Sequence, residues 1–98
     1  MKVTHQENGE QGLFLLFDDQ LPIGEMHYRQ LDSQTIVIDH TSVNERYRGQ
    51  GLARQLVLAG VQFARDQQLA IVPACSYVEA LFRNSGESFT DVVHYLAN

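Results

Sequence analysis

Cysteine, proline and tryptophan are scarce in this chain of 98 residues, which excludes several kinds of protein. There is a single cysteine, Cys75, so no disulfide can form within the chain, and we expect a reducing, cytoplasmic location. The four histidines, at positions 5, 27, 40 and 94, show no metal-ligand spacing, so we expect no metal. No apolar run approaches the roughly 20 residues of a membrane-spanning helix, so we expect no membrane partner.

Basic residues are also few. The chain carries 7 Lys and Arg against 12 Asp and Glu, and its net charge of -5 opposes binding to nucleic acid, which we therefore do not expect as a partner. Four of the basic residues fall between positions 46 and 65, a segment without an acidic residue. Such a basic segment indicates an anion of limited size, although arginines that simply form a solvated face would give the same pattern.

The length and composition indicate one domain over residues 1–98. At roughly 150 residues per domain, the chain is too short for a two-domain enzyme. With 44% hydrophobic and 19% charged residues, it is close to the globular average, so we expect one hydrophobic core. A core this small leaves little room for an enclosed active site, and we expect any ligand to bind in an open groove.

The first 43 residues have the pattern of strands joined by short turns. The predicted strands are Val3–Gln6, Leu13–Phe17, Ile23–Leu31 and Thr35–Val43. Sequential strands with short connections predict an antiparallel meander. The second strand is an unbroken apolar run, which is typical of a strand buried on both faces. The third alternates only in part, which predicts a bulge near Gly24.

The hydrophobic period becomes helical at residue 50. Apolar side chains recur at helical spacing over Gln50–Gln67, and Gly60 inside this segment indicates close packing on the sheet. The short apolar run Leu69–Val72 then predicts a strand parallel to the one ending near Val43. We expect an α+β fold, in which a mainly antiparallel sheet contains one parallel strand–helix–strand crossover and the helices pack on the sheet.

The last quarter of the chain predicts a second helix. Helical spacing resumes over Cys75–Asn84, and the Ser85–Gly86 dipeptide supplies a stop signal. Apolar residues between Val92 and Leu96 predict one further short turn that docks on the domain.

The junction between the fourth strand and the long helix carries the most informative motif, Arg46-Tyr47-Arg48-Gly49-Gln50-Gly51. Two glycines at a strand-to-helix turn let a ligand approach the backbone, and the first helical amides have no partner within the helix. Those amides suit a phosphate or pyrophosphate, and the arginines here and at Arg54 add positive potential. Glycine can also be required at such a turn for geometry alone.

This segment resembles the [Q/R]-x-x-G-x-[G/A] signature of the GNAT-type N-acetyltransferases, in which it opens the helix that holds the coenzyme A pyrophosphate. The segments His40–Val43, Arg48–Ala53, Ala64-Arg65 and Val72–Val78 are similar to those of the small, single-domain GNAT-like proteins. The resemblance extends from Gly24 to Arg83. Relative to full-length members, the chain lacks the length for the helices that usually cover the acceptor side.

The resemblance implies an acetyl-CoA-binding N-acetyltransferase that acts on an amine of a small molecule or protein. The backbone of Ser42 and Val43 would pair with the pantetheine arm in an opening between the fourth strand and Leu69–Val72, and the amides of the glycine motif would hold the pyrophosphate. The alternative is a coenzyme A-binding or protein-interaction module with this fold but without efficient catalysis. The implied coenzyme-binding residues are Ser42, Val43, Arg46, Arg48, Gly49, Gln50, Gly51, Leu52 and Ala53.

Cys75 and His40 are the candidate catalytic residues. Cys75 follows a strand-ending proline at the start of a helix, where the dipole favours a thiolate, but a free cysteine is also commonly a small buried hydrophobe. The resemblance places it near the acetyl group, either as a covalent acceptor or as a contact. His40 could deprotonate the incoming amine or be a hydrogen-bonded core histidine. Weaker candidates for acceptor or leaving-group contacts are Glu25, Tyr28 and Tyr77, for which packing or exposure is the competing interpretation.

Overall fold

The chain folds around one five-stranded sheet in a computed structural model that describes residues 1–84 and 88–94. The strands occur in the order β1–β2–β3–β4–β5; the first four are antiparallel, and β4 and β5 are parallel. The predicted α+β class with one parallel crossover is confirmed. The elements are β1 (Lys2–Glu7), β2 (Gln11–Asp18), β3 (Leu21–Asp32), β4 (Thr35–Val43), a 3-10 turn (Glu45–Tyr47), α1 (Leu52–Gln67), β5 (Ala70–Pro73) and α2 (Ser76–Asn84).

The helices begin slightly later than the sequence predicts. Gly51 precedes α1 with φ of +73°, outside helical space, so the helix starts at Leu52 rather than Gln50. The second helix begins at Ser76, one residue after the predicted start. The predicted stop at Ser85–Gly86 and the part of the last turn beyond residue 94 lie outside the described residues. Val93 forms a single parallel bridge with Ile71.

Both helices pack on the same face of the sheet. Their buried side chains join a single cluster with the inward residues of the strands, and this cluster forms the core. Val37 and Val72 are buried as well, but they lie outside this cluster, on the opposite face. Within residues 1–84 and 88–94 no helix packs on that opposite face, which we call the helix-free face. Neither described helix is long and apolar enough to cross a bilayer.

The second strand is buried on one face only, so the expectation of burial on both faces is wrong. Phe14 and Leu16 are buried against the helices, whereas Leu13, Leu15 and Phe17 point to the helix-free face and are half-buried. The apolar run predicts a strand correctly, but the run alone does not show that a second layer covers its other face.

Three register shifts interrupt the antiparallel ladder; one lies between Gln30 and Asp32 at the far end of β3, and the other two lie nearer the middle of the sheet. The predicted one is confirmed next to Gly24, where the partners of Leu16 and Phe17 are Gly24 and Pro22. The second was not predicted: His27 pairs with His40 but Tyr28 pairs with Ile38, so Asp39 is the extra residue of β4. Because side chains alternate along a strand, this insertion turns His40 from the core side to the helix-free face.

Gly60 lies against the sheet, as its position in the helix predicts. A Cβ atom added there would approach the Met26 Cε atom to 2.7 Å, closer than real side chains pack. The missing side chain therefore allows α1 to approach β3 and β4, which brings the start of the helix close to the end of β4.

An aromatic cluster closes the core between β1, β2 and α1. The His5 ring stacks on Phe14 at 4.2 Å between centroids and meets Phe63 edge-on at 4.4 Å. Tyr28 is 4% exposed, and its hydroxyl donates to Glu7 Oε2 at 3.1 Å and lies 2.6 Å from His5 Nε2. Tyr28 is thus a packing residue on the core side, away from the helix-free face.

Stability should fall as the pH drops below about 6.5, because of His5. Burial lowers the pKa of His5 below its ordinary 6.5, partly opposed by Glu7, so the unfolded chain takes up this proton before the folded chain does. The stability that comes from keeping His5 neutral in the folded chain is complete above pH 6.5, and it is lost as the pH falls through the lower pKa of His5 in that state. We expect His5→Gln to flatten the pH dependence of the urea midpoint and the exposed His94→Gln to leave it unchanged; equal slopes for all three proteins would contradict this assignment.

Candidate functional site

The parallel strands β4 and β5 separate midway along β4. Their pairing runs from Thr35 and Ala70 to Ile38 and Pro73, where the amides of the two residues after Pro73 both donate to the Ile38 carbonyl, at 2.9 and 3.1 Å. Beyond this point β4 continues to Val43 and pairs only with β3 among the described elements. The polar backbone edge of β4 that faces the opening is therefore available to an extended ligand.

The glycine motif lies at the open end of this gap. Gly49 and Gly51 have φ of +82° and +73°, a left-handed conformation that other residues adopt only with strain. A Cβ atom at either position would have no heavy atom within 4 Å, so both glycines face open space. No side chain caps the helix at Gly51, and the first amides of α1 point into the opening with the positive end of the helix dipole.

The basic segment divides into two parts. Arg46, Arg48 and Arg54 lie on the motif or in the first turn of α1. Arg65 is in the last turn, about 20 Å away along the helix, and its guanidinium binds Asp91 in a bidentate pair at 2.7 and 3.0 Å. The charge at the opening therefore comes from three arginines, and the fourth fastens residues 88–91 to the helix.

A groove of about 610 Å³ fills the gap between β4, the motif and the start of α2. This volume is typical of ligand sites, and the groove is open on one side, as the small core predicts. The lining residues are His40, Thr41, Ser42, Val43, Tyr47, Arg48, Gly49, Gly51, Leu52, Ala53 and Tyr77.

Most of the residues implied by the sequence meet in this groove. The structure brings together Ser42, Val43, Arg48, Gly49, Gly51, Leu52, Ala53 and His40. Three others stand apart from the lining: Arg46 and Gln50 are exposed on the motif, and Cys75 is half-buried against the core. Thr41 and Tyr47 also line the groove, although the sequence did not identify them as site residues. Tyr47 could have been found, since it lies inside the motif.

Thr41 presents a buried hydroxyl without a partner. Its Oγ1 atom is inaccessible to water and makes no hydrogen bond within the described part of the chain. Leaving a buried hydroxyl unpaired costs about 1–3 kcal/mol, so such atoms usually meet a ligand or ordered water. A ligand arm with amide groups along β4 would supply this partner, so the groove fits an extended chain rich in amides.

Tyr47 connects the motif to the β2–β3 turn. Its hydroxyl donates to Asp18 Oδ2 at 2.8 Å, and this hydrogen bond raises the pKa of Tyr47. The contact joins residues 29 positions apart, so it holds the 3-10 turn and the following glycines against the sheet.

His40 lies at the closed end of the groove, on the helix-free face. Its ring meets that of His27 edge-on, 5.4 Å between centroids, and His27 Nε2 lies 2.7 Å from Glu25 Oε2. The exposure of His40 excludes the alternative of a core histidine. The described residues contain no group of three or more His, Cys, Asp or Glu side chains arranged to hold a metal ion.

Cys75 occupies the position immediately before α2. Its amide donates to Ile38 at the point where β4 and β5 separate, and its carbonyl accepts from Glu79 at 3.0 Å, inside the first turn of the helix. The side chain packs against the core, whereas Tyr77, 40% exposed, lines the groove.

Known proteins share this fold and parts of this sequence. A chain from Staphylococcus aureus, described as GCN5-like and solved by NMR, aligns with a TM-score of 0.73 and 31% identity over 98% of this chain and 90% of its own. A GNAT family N-acetyltransferase from Escherichia coli, in complex with CoA, aligns with a TM-score of 0.54 and 30% identity over 61% of this chain and 37% of its own. Rat N-acetyltransferase 8 is 36% identical in an alignment 67 positions long, which covers 58% of this chain and 30% of that protein.

The match to the family itself covers most of the chain. The chain spans about a third of the length of the curated relative, so that relative's whole activity does not transfer with the similarity. The model of the GCN5-related N-acetyl-transferase family, by contrast, matches residues 13–92, which include most of β2, the strands β3 to β5, the glycine motif and both helices. This chain belongs to the GCN5-related N-acetyltransferase family.

Proposed function

We propose that this chain binds acetyl-CoA in the groove and transfers the acetyl group to an amine. The separation of β4 from β5, leading directly to a glycine motif with positive potential, is the observation that carries the proposal. The E. coli relative, solved with CoA, supports it. The single cysteine of the chain supports a reducing, cytoplasmic setting.

The glycine motif would hold the pyrophosphate. The backbone amides of Gly49–Ala53 offer hydrogen-bond donors, and the start of α1 adds the positive end of its dipole. Arg48 lines the groove, and Arg46 and Gln50 stand on the outer side of the motif, where they can reach the same anion from solvent. The two charges of a pyrophosphate match these arginines within an otherwise acidic chain.

The edge of β4 would hold the pantetheine arm. At Ser42 and Val43 the edge of β4 borders the opening beyond the last pair with β5, so amide groups of the arm can pair with this edge as a further strand would. Thr41 Oγ1 gains its missing partner in this arrangement. When bound, acetyl-CoA supplies the acetyl group as a thioester.

The thioester would lie near the closed end of the groove. Because the pyrophosphate is fixed at Gly49–Ala53, an arm that follows β4 backwards reaches His40 and the Ile38–Cys75 junction. We propose that His40 faces the acceptor and that Cys75 positions this end of the groove without becoming acetylated, since its side chain packs against the core. Tyr77 stands on the α2 side, where its hydroxyl can protonate the departing thiolate.

Acetyl-CoA should stabilise the folded chain. At 100 times Kd, a ligand that binds only the folded state adds about 2.7 kcal/mol, which raises Tm by about 10–20 °C in a domain of this size. We expect a saturable shift in melting temperature with acetyl-CoA and with CoA, and a much smaller one with ATP, which lacks the arm. The intact mass after incubation should not rise by one acetyl group. Absence of both the thermal shift and calorimetric binding would overturn the proposed function.

A further inference from the structure

The helix-free face carries a row of four side chains that ends at the groove. Gln6 on β1, Leu13 on β2, His27 on β3 and His40 on β4 are successive cross-strand partners, and partners in register point to the same face. At about 4.8 Å per strand, the row is about 14 Å long. Its first three members line an open depression of about 330 Å³, and the fourth lines the groove.

His27 connects the depression to the groove, and Glu25 holds it. The Nε2 atom of His27 lies 2.7 Å from Glu25 Oε2, so the carboxylate fixes the ring and leaves Nδ1 for another partner. Both side chains are about 44% exposed, so a ligand on this face can reach them. The ring of His40 is 5.4 Å away between centroids. Nothing in the fold itself requires a histidine–carboxylate pair on an exposed surface.

We propose that the helix-free face receives the acceptor amine, and that His27, positioned by Glu25, removes its proton beside His40. This inference rests on the proposed function, because it places the acceptor opposite the coenzyme groove. The thioester end of the groove and the exposed histidine pair meet at His40, which belongs to both.

The chemical step balances with these groups. The acceptor arrives as an ammonium ion and gives one proton to His27, which becomes imidazolium. The freed nitrogen lone pair attacks the thioester carbonyl, the N–C bond forms, the C–S bond breaks, and the thiolate leaves with the bond's electron pair. The nitrogen loses its second proton as the amide forms, which balances the proton that the thiolate takes up, and His27 releases its own proton to solvent. Glu25 stabilises the imidazolium in between and keeps its charge.

The depression indicates an amine at the end of a flexible aliphatic arm. It is shallow and open, so it cannot enclose a small amine on most sides as small-molecule sites do. From Leu13 to His40 the row spans about 10 Å. This length suits a molecule that contacts Leu13 and Gln6 and extends its amine-bearing arm past His27. A lysine side chain and a polyamine share this chemistry.

The surrounding charges favour a cation. Arg29 faces the same side, but its guanidinium lies 3.7 Å from Asp39, which offsets its charge. Glu25 adds a negative charge beside His27, and Glu7, whose carboxylate accepts from the Tyr28 hydroxyl, lines the depression, so an ammonium ion gains from the local field. The titratable and charged groups around His27 are Glu25 and Arg29 on β3, Asp39 and His40 on β4, and Glu7 on β1.

The test uses Nα-acetyl-lysine methylamide, spermidine and ethylamine as acceptors with saturating acetyl-CoA. We expect turnover with the two long-armed amines and at least tenfold less with ethylamine. His27→Gln should lower kcat about 100-fold and remove the rise of rate with pH. Glu25→Gln should lower kcat about tenfold with KM unchanged, and Glu25→Asp should restore part of it. The exposed His94→Gln serves as the matched control and should match the wild type.

A binding measurement separates this inference from the proposed function. With CoA bound, adding Nα-acetyl-lysine methylamide or spermidine should shift the imidazole NMR signals of His27 and His40 and leave those of His5 and His94 in place. A response to only one of the two amines shows whether the acceptor is a lysine side chain or a polyamine. If acetyl-CoA binds but neither amine moves these signals, or His27→Gln keeps the wild-type rate and pH profile, the acceptor side is wrong while the proposed function stands. If acetyl-CoA does not bind, the proposed function fails and this inference fails with it.

Discussion

Gly51→Leu should abolish measurable binding of CoA while the chain still folds. Gly51 immediately precedes α1 with φ of +73° and lines the groove, and a side chain at this position can only project into open space. A leucine there would occupy the volume assigned to the pyrophosphate and shield the first helical amides. We expect the affinity to fall by at least about 100-fold, which corresponds to about 2.7 kcal/mol.

A matched variant separates this effect from backbone strain. Gly9 in the β1–β2 turn has φ of +93° and likewise has no heavy atom within 4 Å of an added Cβ, but it lies far from the groove. Both leucine variants should lose about 1–2 kcal/mol of stability, since each forces a left-handed residue. Isothermal titration with CoA should then show wild-type affinity for Gly9→Leu only. Equal CoA affinities for the two variants would show that the glycine motif does not contact CoA.

Gly12→Ala should destabilise the fold strongly, although it adds only one methyl group to the sheet. The Tyr28 ring lies directly over Gly12, its cross-strand partner, and an added Cβ would overlap the ring and its hydroxyl. The ring must move, which breaks its hydrogen bonds to His5 and Glu7 and opens the aromatic cluster. We expect a loss of about 3 kcal/mol and a decrease in Tm of about 12 °C or more.

The control for this prediction is Gly24→Ala, in the neighbouring strand. There an added Cβ meets its nearest atoms at 3.3 Å, so small shifts accommodate it, and we expect a loss of about 1 kcal/mol or less. In a Tyr28→Leu background, Gly12→Ala should cost little, because the clash is with the ring. Urea unfolding of the wild type, the Gly12→Ala, Gly24→Ala and Tyr28→Leu variants and the double variant measures both effects. Additive costs in the double variant would show that the ring is not the cause.

Much of the groove between β4 and the glycine motif was predictable, because the features that form it are local in the sequence. Hydrophobic period distinguishes strands from helices within a few residues, and the glycines of the motif report a backbone conformation that few other residues adopt. The crossover from β4 through α1 to β5 follows from the order of the elements. This is why the sequence indicates an anion site at the glycine motif, while the place of Ser42 and Val43 in the groove is implied by the family resemblance.

The row of side chains on the helix-free face could not be predicted, because it depends on pairing between strands. Whether His40 faces the core or the helix-free surface is decided by the bulge at Asp39, which exists only relative to the register of β3. The ion pair of Arg65 with Asp91 could not be predicted either, since the two residues are 26 positions apart in the chain. Thr41 looks like an ordinary strand residue until the opening beside it is known.

The sequence by itself therefore determined the fold class, the crossover and the position of the glycine motif, since each depends on backbone preferences over a short stretch of chain. Only the tertiary structure decided which face of the sheet lacks a helix, that Tyr28 fills the space above Gly12, and that Gln6, Leu13, His27 and His40 form one row. The physical reason is that side-chain direction in a sheet reverses with each residue. One inserted residue in β4 therefore changes which groups meet, while the local pattern of the chain barely changes.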